Sequence, residues 1–333
     1  MDEKNPTYEV FGGRLRSELD FPELPLAAEG SPSWDLRMRS GPAKPVAGEL
    51  VGRVDVDNRV TVELRRYDAG WRLAYSDTGI FEINPDGSHL DWYPGPDHDL
   101  SAARVDVLGR VLAVALHAQG ILCLHGSAVA FEHGTVAFLA PKFHGKSTTA
   151  LALARSGAKL VTDDCLPVEL SDPPRARPGV HAVRLWRDSV DEVGHEGPLD
   201  TGPGGKFLLT DLPVDRLMRA PTRLAALYFL TPVTDANDRT PAVERVPVHG
   251  LDASLSLLGQ TKIGALLGGS EAGTLLQMAS RVAELVPVYR LRVVRDFNRL
   301  DEVIEGIRAL HGDLLEDPVP ALSSVSAHQG PGA

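Results

Sequence analysis

The chain has 333 residues, 43% hydrophobic and 24% charged, an ordinary globular composition that suffices for one large or two modest domains. Its net charge of −11 excludes a general nucleic-acid binder, whose phosphate contacts need a basic face. Two cysteines, Cys123 and Cys165, provide neither a disulfide framework nor a zinc spacing, and both read as small buried hydrophobes in apolar runs. Asp2-Glu3-Lys4 lacks the basic-then-apolar pattern of a secretory signal. The most apolar stretch, Val105–Val129, is broken by Asp106, Arg110, His117, Gln119, Gly120 and His125, too often for a membrane span. A reduced, cytoplasmic protein without a membrane partner is expected.

Residues 1–97 read as a β-rich N-terminal region behind a short tail at 1–6. Tyr8-Glu9-Val10-Phe11 and Arg59–Leu64 alternate apolar and polar residues as half-buried strands do, and Asp68-Ala69-Gly70 and Asn84-Pro85-Asp86-Gly87 are turns between short runs. A small antiparallel domain or an elaborated lead-in sheet is expected there. Residues 98–316 read as a second domain, of mixed α/β pattern. Val105, Leu108, Val111, Leu112, Ala115 and Leu116 recur at helical spacing, with Gly120 as the stop. Strands follow at 121–124 and 136–139, then a helix at 147–155 closed by Gly157, and a strand at 159–162 ending in Asp163-Asp164. Further strands are expected at 224–230 and 289–294, and helices at 252–268, 271–284 and 300–310. Residues 317–333, rich in proline and small residues, read as a flexible tail.

Strand, glycine-containing loop, helix, then a strand ending in acid is the order a nucleotide-binding α/β core needs. Ala140-Pro141-Lys142-Phe143-His144-Gly145-Lys146-Ser147 has the second half of a phosphate loop, G-x-x-x-x-G-K-[ST]. In such a loop backbone N–H groups cradle the phosphates, the lysine meets their oxygens, and the hydroxyl ligates magnesium. The helix behind it, starting at Ser147, aims its positive end at the same anion. Ala140 stands where the first glycine belongs, and alanine is disfavoured if that position needs positive φ. Lys142 and His144 add positive charge near the phosphates or face solvent, with equal weight.

Asp163 and Asp164, at a strand end beside such a loop, are placed to ligate magnesium or to accept a proton from an attacking hydroxyl. Adjacent strand residues face opposite ways, so the two are expected to divide these tasks. An Asp-Asp pair that merely opens a turn is the plainer reading. His125, at the end of the preceding run, is a candidate partner for an aspartate or a structural histidine. Arg184, Lys206 and Arg295 are candidate phosphate or substrate cations, with surface charge as the simpler alternative.

His125–Ala130, the loop at 140–147 and Leu160-Val161-Thr162-Asp163-Asp164 together resemble the HPr kinase/phosphorylase-related family. The resemblance is motif-specific over about residues 121–170 and weaker, but ordered, to about residue 310. It implies an α/β fold with a mixed sheet and a P-loop core like that of phosphoenolpyruvate carboxykinase. It also implies ATP and magnesium as cofactors, and allows a homo-oligomer. Carried over to this chain, Asp163 is the general base and His125 its support. Lys146 holds phosphate, while Ser147 and Asp164 hold magnesium. Ala140, Lys142, His144, Gly145, Lys146, Ser147 and Thr148 line the nucleotide. Lys142-Phe143-His144 replaces the small residues usual in that family, and its glycine-rich signature has no counterpart. HPr is therefore not the expected substrate; a serine-type hydroxyl on a peptide or small molecule is, as for family members found with peptide natural products. A phosphorylase running the same site in reverse, and a degenerate P-loop protein with a regulatory role, are the alternatives.

Overall fold

The computed structural model describes residues 5–56, 59–192, 200–201, 205–210 and 212–313. The tail expected at 317–333 and the first four residues lie outside them. Eight strands in the N-terminal part, β1 (Thr7–Val10), β2 (Gly13–Ser17), β3 (Trp34–Met38), β4 (Glu49–Val56), β5 (Val60–Tyr67), β6 (Gly70–Tyr75), β7 (Gly79–Ile83) and β8 (His89–Pro94), form one sheet. Their order is β1-β2-β3-β8-β7-β6-β5-β4. Strict alternation turns Val62, Leu64, Leu73, Phe81, Leu90 and Trp92 inward, all with no exposed surface. The sheet is mixed, not antiparallel as expected: β3 runs parallel to both β2 and β8. Parallel neighbours need a crossover, and residues 18–33 provide the first. Asp35 on β3 takes two hydrogen bonds from the Arg16 guanidinium, at 2.9 and 2.7 Å. Arg16, with Arg37, outweighs burial and lowers the Asp35 pKa to about 2.

A helix runs from Leu100 to Ala118 as α1 (Leu100–Asp106), a π turn (Val107–Val111) and α2 (Leu112–Ala118). Asp99 caps it, accepting from the Ser101 N–H at 2.8 Å. Its apolar face, including Val107, Val111 and Leu112, shares one continuous core with Phe81 and Trp92 of the first sheet and Leu122 and Leu166 of the second.

The second part begins with β9 (Leu122–Leu124), β10 (Gly126–Phe131), β11 (Gly134–Leu139), α3 (Lys146–Arg155), β12 (Lys159–Thr162), β13 (Leu166–Glu169) and β14 (Arg175–Ala176). Then come β15 (Val183–Leu185), α4 (Arg187–Glu192), β16 (Asp200–Thr201) and β17 (Phe207–Leu209), followed by β18 (Thr222–Val233), β19 (Val243–Val248), α5 (Gly250–Leu258), α6 (Gly269–Leu285), β20 (Val288–Val294) and α7 (Leu300–Asp313). A nine-stranded mixed sheet runs β12-β10-β11-β18-β14-β13-β9, with β20 beside β18 and β19 beside β20. Strands β15, β17 and β16 form a small third sheet. The chain is a mixed α/β protein. Phe138, Tyr228, Leu151, Leu153, Leu291 and Ile307 form the core that joins β11, β18 and β20 to α3 and α7.

One helix is shorter than expected. The periodic stretch 252–268 is helical only to Leu258, and a single 3-10 turn follows at Gly264–Leu266. Gly259 caps the helix, and the Thr261 hydroxyl donates to the Leu258 carbonyl at 2.7 Å, occupying an acceptor that a continuing helix would use. The freed chain then lies along β9: the His125 N–H bonds the Gln260 carbonyl and the Lys262 N–H bonds the Cys123 carbonyl.

Candidate functional site

The site is built by pairing register. Strand β10 is antiparallel to β11, with Gly126 opposite Leu139, so the start of β10 lies beside the beginning of the loop at 140–147. The same strand is antiparallel to β12, with Ala128 opposite Thr162, so its start also meets Asp163-Asp164. His125, Ser127, Ala140 and both aspartates therefore gather at one sheet edge. Gly126 is needed for this closeness, because a Cβ there would come within 2.5 Å of the Leu139 side chain and 2.7 Å of the Phe138 carbonyl.

At that edge Asp163 is 5% exposed and fully engaged. Ser127 Oγ donates to its Oδ1 at 2.5 Å, Ser147 Oγ donates to the same oxygen at 2.8 Å, and the Arg184 N–H donates to Oδ2 at 3.2 Å. The phosphate-loop serine and the strand-end acid thus touch. Asp164 has φ 72°, which turns its side chain away from its neighbour. Its carboxylate meets Lys262 Nζ at 2.5 Å and His125 Nδ1 at 3.1 Å, and its side chain remains 38% exposed. Burial pushes its pKa up, but the Lys262 charge and the His125 hydrogen bond outweigh that and hold it well below the usual carboxylate range.

The two acids divide their partners, with Ser127 and Ser147 on Asp163 and His125 and Lys262 on Asp164. The resemblance implies His125 as support for Asp163, and its ring lies against Asp164; it implies magnesium for both Ser147 and Asp164, and the Ser147 hydroxyl lies against Asp163. Strand β12 ends at Thr162, and the left-handed backbone at Asp164 in the turn beyond it is the physical reason, swinging that carboxylate to His125 and Lys262. Ser127 and Lys262 are further members of the cluster that were not anticipated. Ser127 was legible, one strand period from His125. Lys262 was hidden inside an apparently continuous helix, where the only signal of a break was Gly259 followed by Gly264.

In the loop, Gly145 has φ 84° and leads into α3, whose first turn holds Lys146, Ser147 and Thr148. Ala140 is not in the left-handed region, so alanine is unstrained there and the missing first glycine leaves no defect in this backbone. The unusual conformation falls instead on Phe143, at φ 67°. Lys142 is exposed, and its carbonyl lies 2.9 Å from His144 Nδ1. Thr148 Oγ1 donates to Ser189 Oγ of α4 at 3.3 Å. Lys206 stands over the Trp186 ring. Arg295 lies beyond the end of β20 and makes none of these contacts.

Lys146 Nζ donates to the carbonyls of Ala140, at 2.7 Å, and Pro141, at 3.1 Å, across the mouth of the loop. Burial lowers its pKa to about 8, against the opposing pull of Asp163 and Asp164. Above that pH the amine sheds its proton, and a polyanion bound at the loop restores it. Binding of ATP, whose phosphate chain is already fully ionised at about pH 9, is therefore expected to draw a proton onto Lys146 there and to weaken as pH rises from about 7 to 10. Calorimetry in buffers of different ionisation enthalpy reads this uptake; its absence would show that Lys146 does not meet the anion.

No family model matches the chain, and no curated protein matches it. Among solved structures, the HPr(Ser) kinase/phosphatase from Coxiella burnetii overlaps 57% of this chain and 98% of its own, with 12% sequence identity and a TM-score of 0.29. An overlap of that size identifies neither fold nor activity, so the functional reading rests on the residues themselves.

Those residues suit a magnesium ion that arrives with a triphosphate. Among the described residues no three His, Cys, Asp or Glu side chains converge on one point, so no all-protein metal cage is present. Magnesium is ordinarily held by one or two carboxylates together with phosphate oxygens and water. Asp163 Oδ1 and Ser147 Oγ are two hard oxygen donors side by side at the start of α3, a fitting pair. Among the described residues no helix is long and apolar enough to cross a membrane.

Proposed function

We propose that the protein is an ATP- and magnesium-dependent kinase. Its acceptor is a serine-type hydroxyl of a peptide or small molecule, and its core is a P-loop core of the phosphoenolpyruvate-carboxykinase type. The observation that supports this most is the contact between Ser147 and Asp163 beside a second, differently partnered acid, Asp164. One carboxylate is tied to the phosphate loop and the other opens toward solvent, which is the division that phosphoryl transfer to a hydroxyl needs.

In this reading the N–H groups at the start of α3, together with Lys146, hold the triphosphate, and Ser147 and Asp163 hold magnesium, which neutralises charge on the phosphates when bound. Asp164 accepts the proton of the incoming hydroxyl. Lys262 and His125 keep it ionised, so it orients that hydroxyl and takes the proton only late, as the acceptor oxygen gains its bond to phosphorus. His125 orients this carboxylate, and Lys262 supplies positive charge beside it. Lys146 must exchange its bonds to Ala140 and Pro141 for phosphate oxygens, so the loop opens as it fills.

The deciding measurement is mass spectrometry on serine-containing peptides and small hydroxyl compounds incubated with the protein. The expected result is the mass of one phosphoryl group gained only when ATP and magnesium are both present. Nucleotide binding with no transfer to any acceptor would instead assign the chain a regulatory, nucleotide-sensing role, which the lysine folded onto its own loop would then explain.

A further inference from the structure

Phe143 is the most exposed aromatic residue near the loop, at 61%, and it holds a backbone conformation that bulky side chains rarely adopt. Its ring is stacked on Trp186, 5.4 Å between centroids and 20° between planes. Trp186 is itself 39% exposed, whereas the other three tryptophans, Trp34, Trp71 and Trp92, are buried. Lys206 Nζ lies 5.5 Å from the Trp186 ring centroid. The platform is tied to the phosphate elements from both sides: two residues before Trp186 the Arg184 N–H bonds Asp163, and three residues after it Ser189 accepts from Thr148.

We propose that Phe143 and Trp186 form a ring clamp for the base of the bound nucleotide, with Lys206 at its edge. The inference rests on the kinase reading above and adds to it the site that takes the non-phosphate end of the ligand. A base is favoured over an aromatic side chain of the acceptor because Phe143 belongs to the phosphate loop itself, two residues before Gly145. A ring joined to the phosphate chain is therefore delivered to it whichever acceptor is used. As the pair stands, 5.4 Å leaves no room for a third ring, which needs about 7 Å between its neighbours, twice the usual contact distance. The base binds by prising Phe143 from Trp186 and taking over the stacking contact. Strain at Phe143 fits a ring held ready to move. The preference among bases is weak, because every base has a face to stack.

The test compares ATP with inorganic tripolyphosphate, which has the phosphates and no base. ATP is expected to bind more tightly, and Trp186→Ala to weaken ATP roughly 5- to 100-fold while leaving tripolyphosphate unchanged. Trp186→Phe keeps a ring and restores most of the loss. Because three of the four tryptophans are buried, fluorescence accessible to iodide reports Trp186: ATP shields it and tripolyphosphate does not. Equal affinity for the two ligands, with no effect of Trp186→Ala on ATP, overturns the clamp and leaves the phosphate site standing. Failure of both ligands to bind overturns the clamp together with the kinase reading. If Trp186→Ala weakens only the acceptor, the platform belongs to the acceptor and the proposal falls.

Discussion

Asp164→Asn is expected to lower phosphoryl transfer by about 10²- to 10⁴-fold while nucleotide affinity stays within a few-fold. The amide keeps the shape of the carboxylate but cannot accept a proton at neutral pH. It also leaves the position occupied, so Lys262 and His125 keep a polar neighbour. Asp163→Asn should behave differently. Ser127 and Ser147 both donate to Oδ1 while the Arg184 N–H donates to Oδ2, so an amide places an NH₂ against at least one donor. The segment leading to Trp186 then loosens, and nucleotide binding weakens together with turnover. Steady-state kinetics alongside calorimetric affinities separate the two variants. Should Asp163→Asn abolish turnover with affinity intact, and Asp164→Asn prove mild, the division argued from geometry is reversed. Asp163 would then be the base, as family resemblance alone suggested.

Which side chains the two acids touch is not a local property of the sequence. The apolar strand, the Gly145-Lys146-Ser147 turn, the α3 helix and the acid-ended strand were legible because each is a local pattern with a local cause. Placing His125 beside the loop was legible too, since hairpin pairing of β10 with β11 brings its start there, whereas its approach to the acids comes from the non-hairpin pairing of β10 with β12. Which acid it touches was not, because the answer turns on one left-handed residue, Asp164, whose conformation propensity does not announce. Lys262 was invisible for a related reason. Leu255, Leu257 and Leu258 continue a helical pattern that ends at the Gly259 cap, and the residue delivered to the site lies just past that break. The N-terminal strands were readable from alternation, yet their parallel pairs were not, because register depends on crossovers and not on the strands themselves.

Phe138→Ala is expected to destabilise the protein by about 3–5 kcal/mol, the range for removing a fully buried aromatic ring. Phe138 has no exposed surface and lies over Tyr228 with 6.0 Å between ring centroids, and Tyr228 in turn lies over Tyr289. These rings cross three neighbouring strands, β11, β18 and β20, beneath α3 and α7. Phe138 also pairs with Ser127 across the hairpin, so a cavity here opens directly under the residues that carry the loop and Asp163. The variant should therefore lose tripolyphosphate affinity even under conditions where it remains folded, because the start of α3 is no longer pressed against the sheet edge. Phe138→Leu, which fills most of the space, should recover a large part of both losses. Denaturant melts followed in parallel with tripolyphosphate titrations measure the pair of effects. A loss of stability below about 1 kcal/mol would contradict close packing beneath the loop. A full loss of stability with unchanged affinity in the folded fraction would show that the loop holds its shape without support from the sheet.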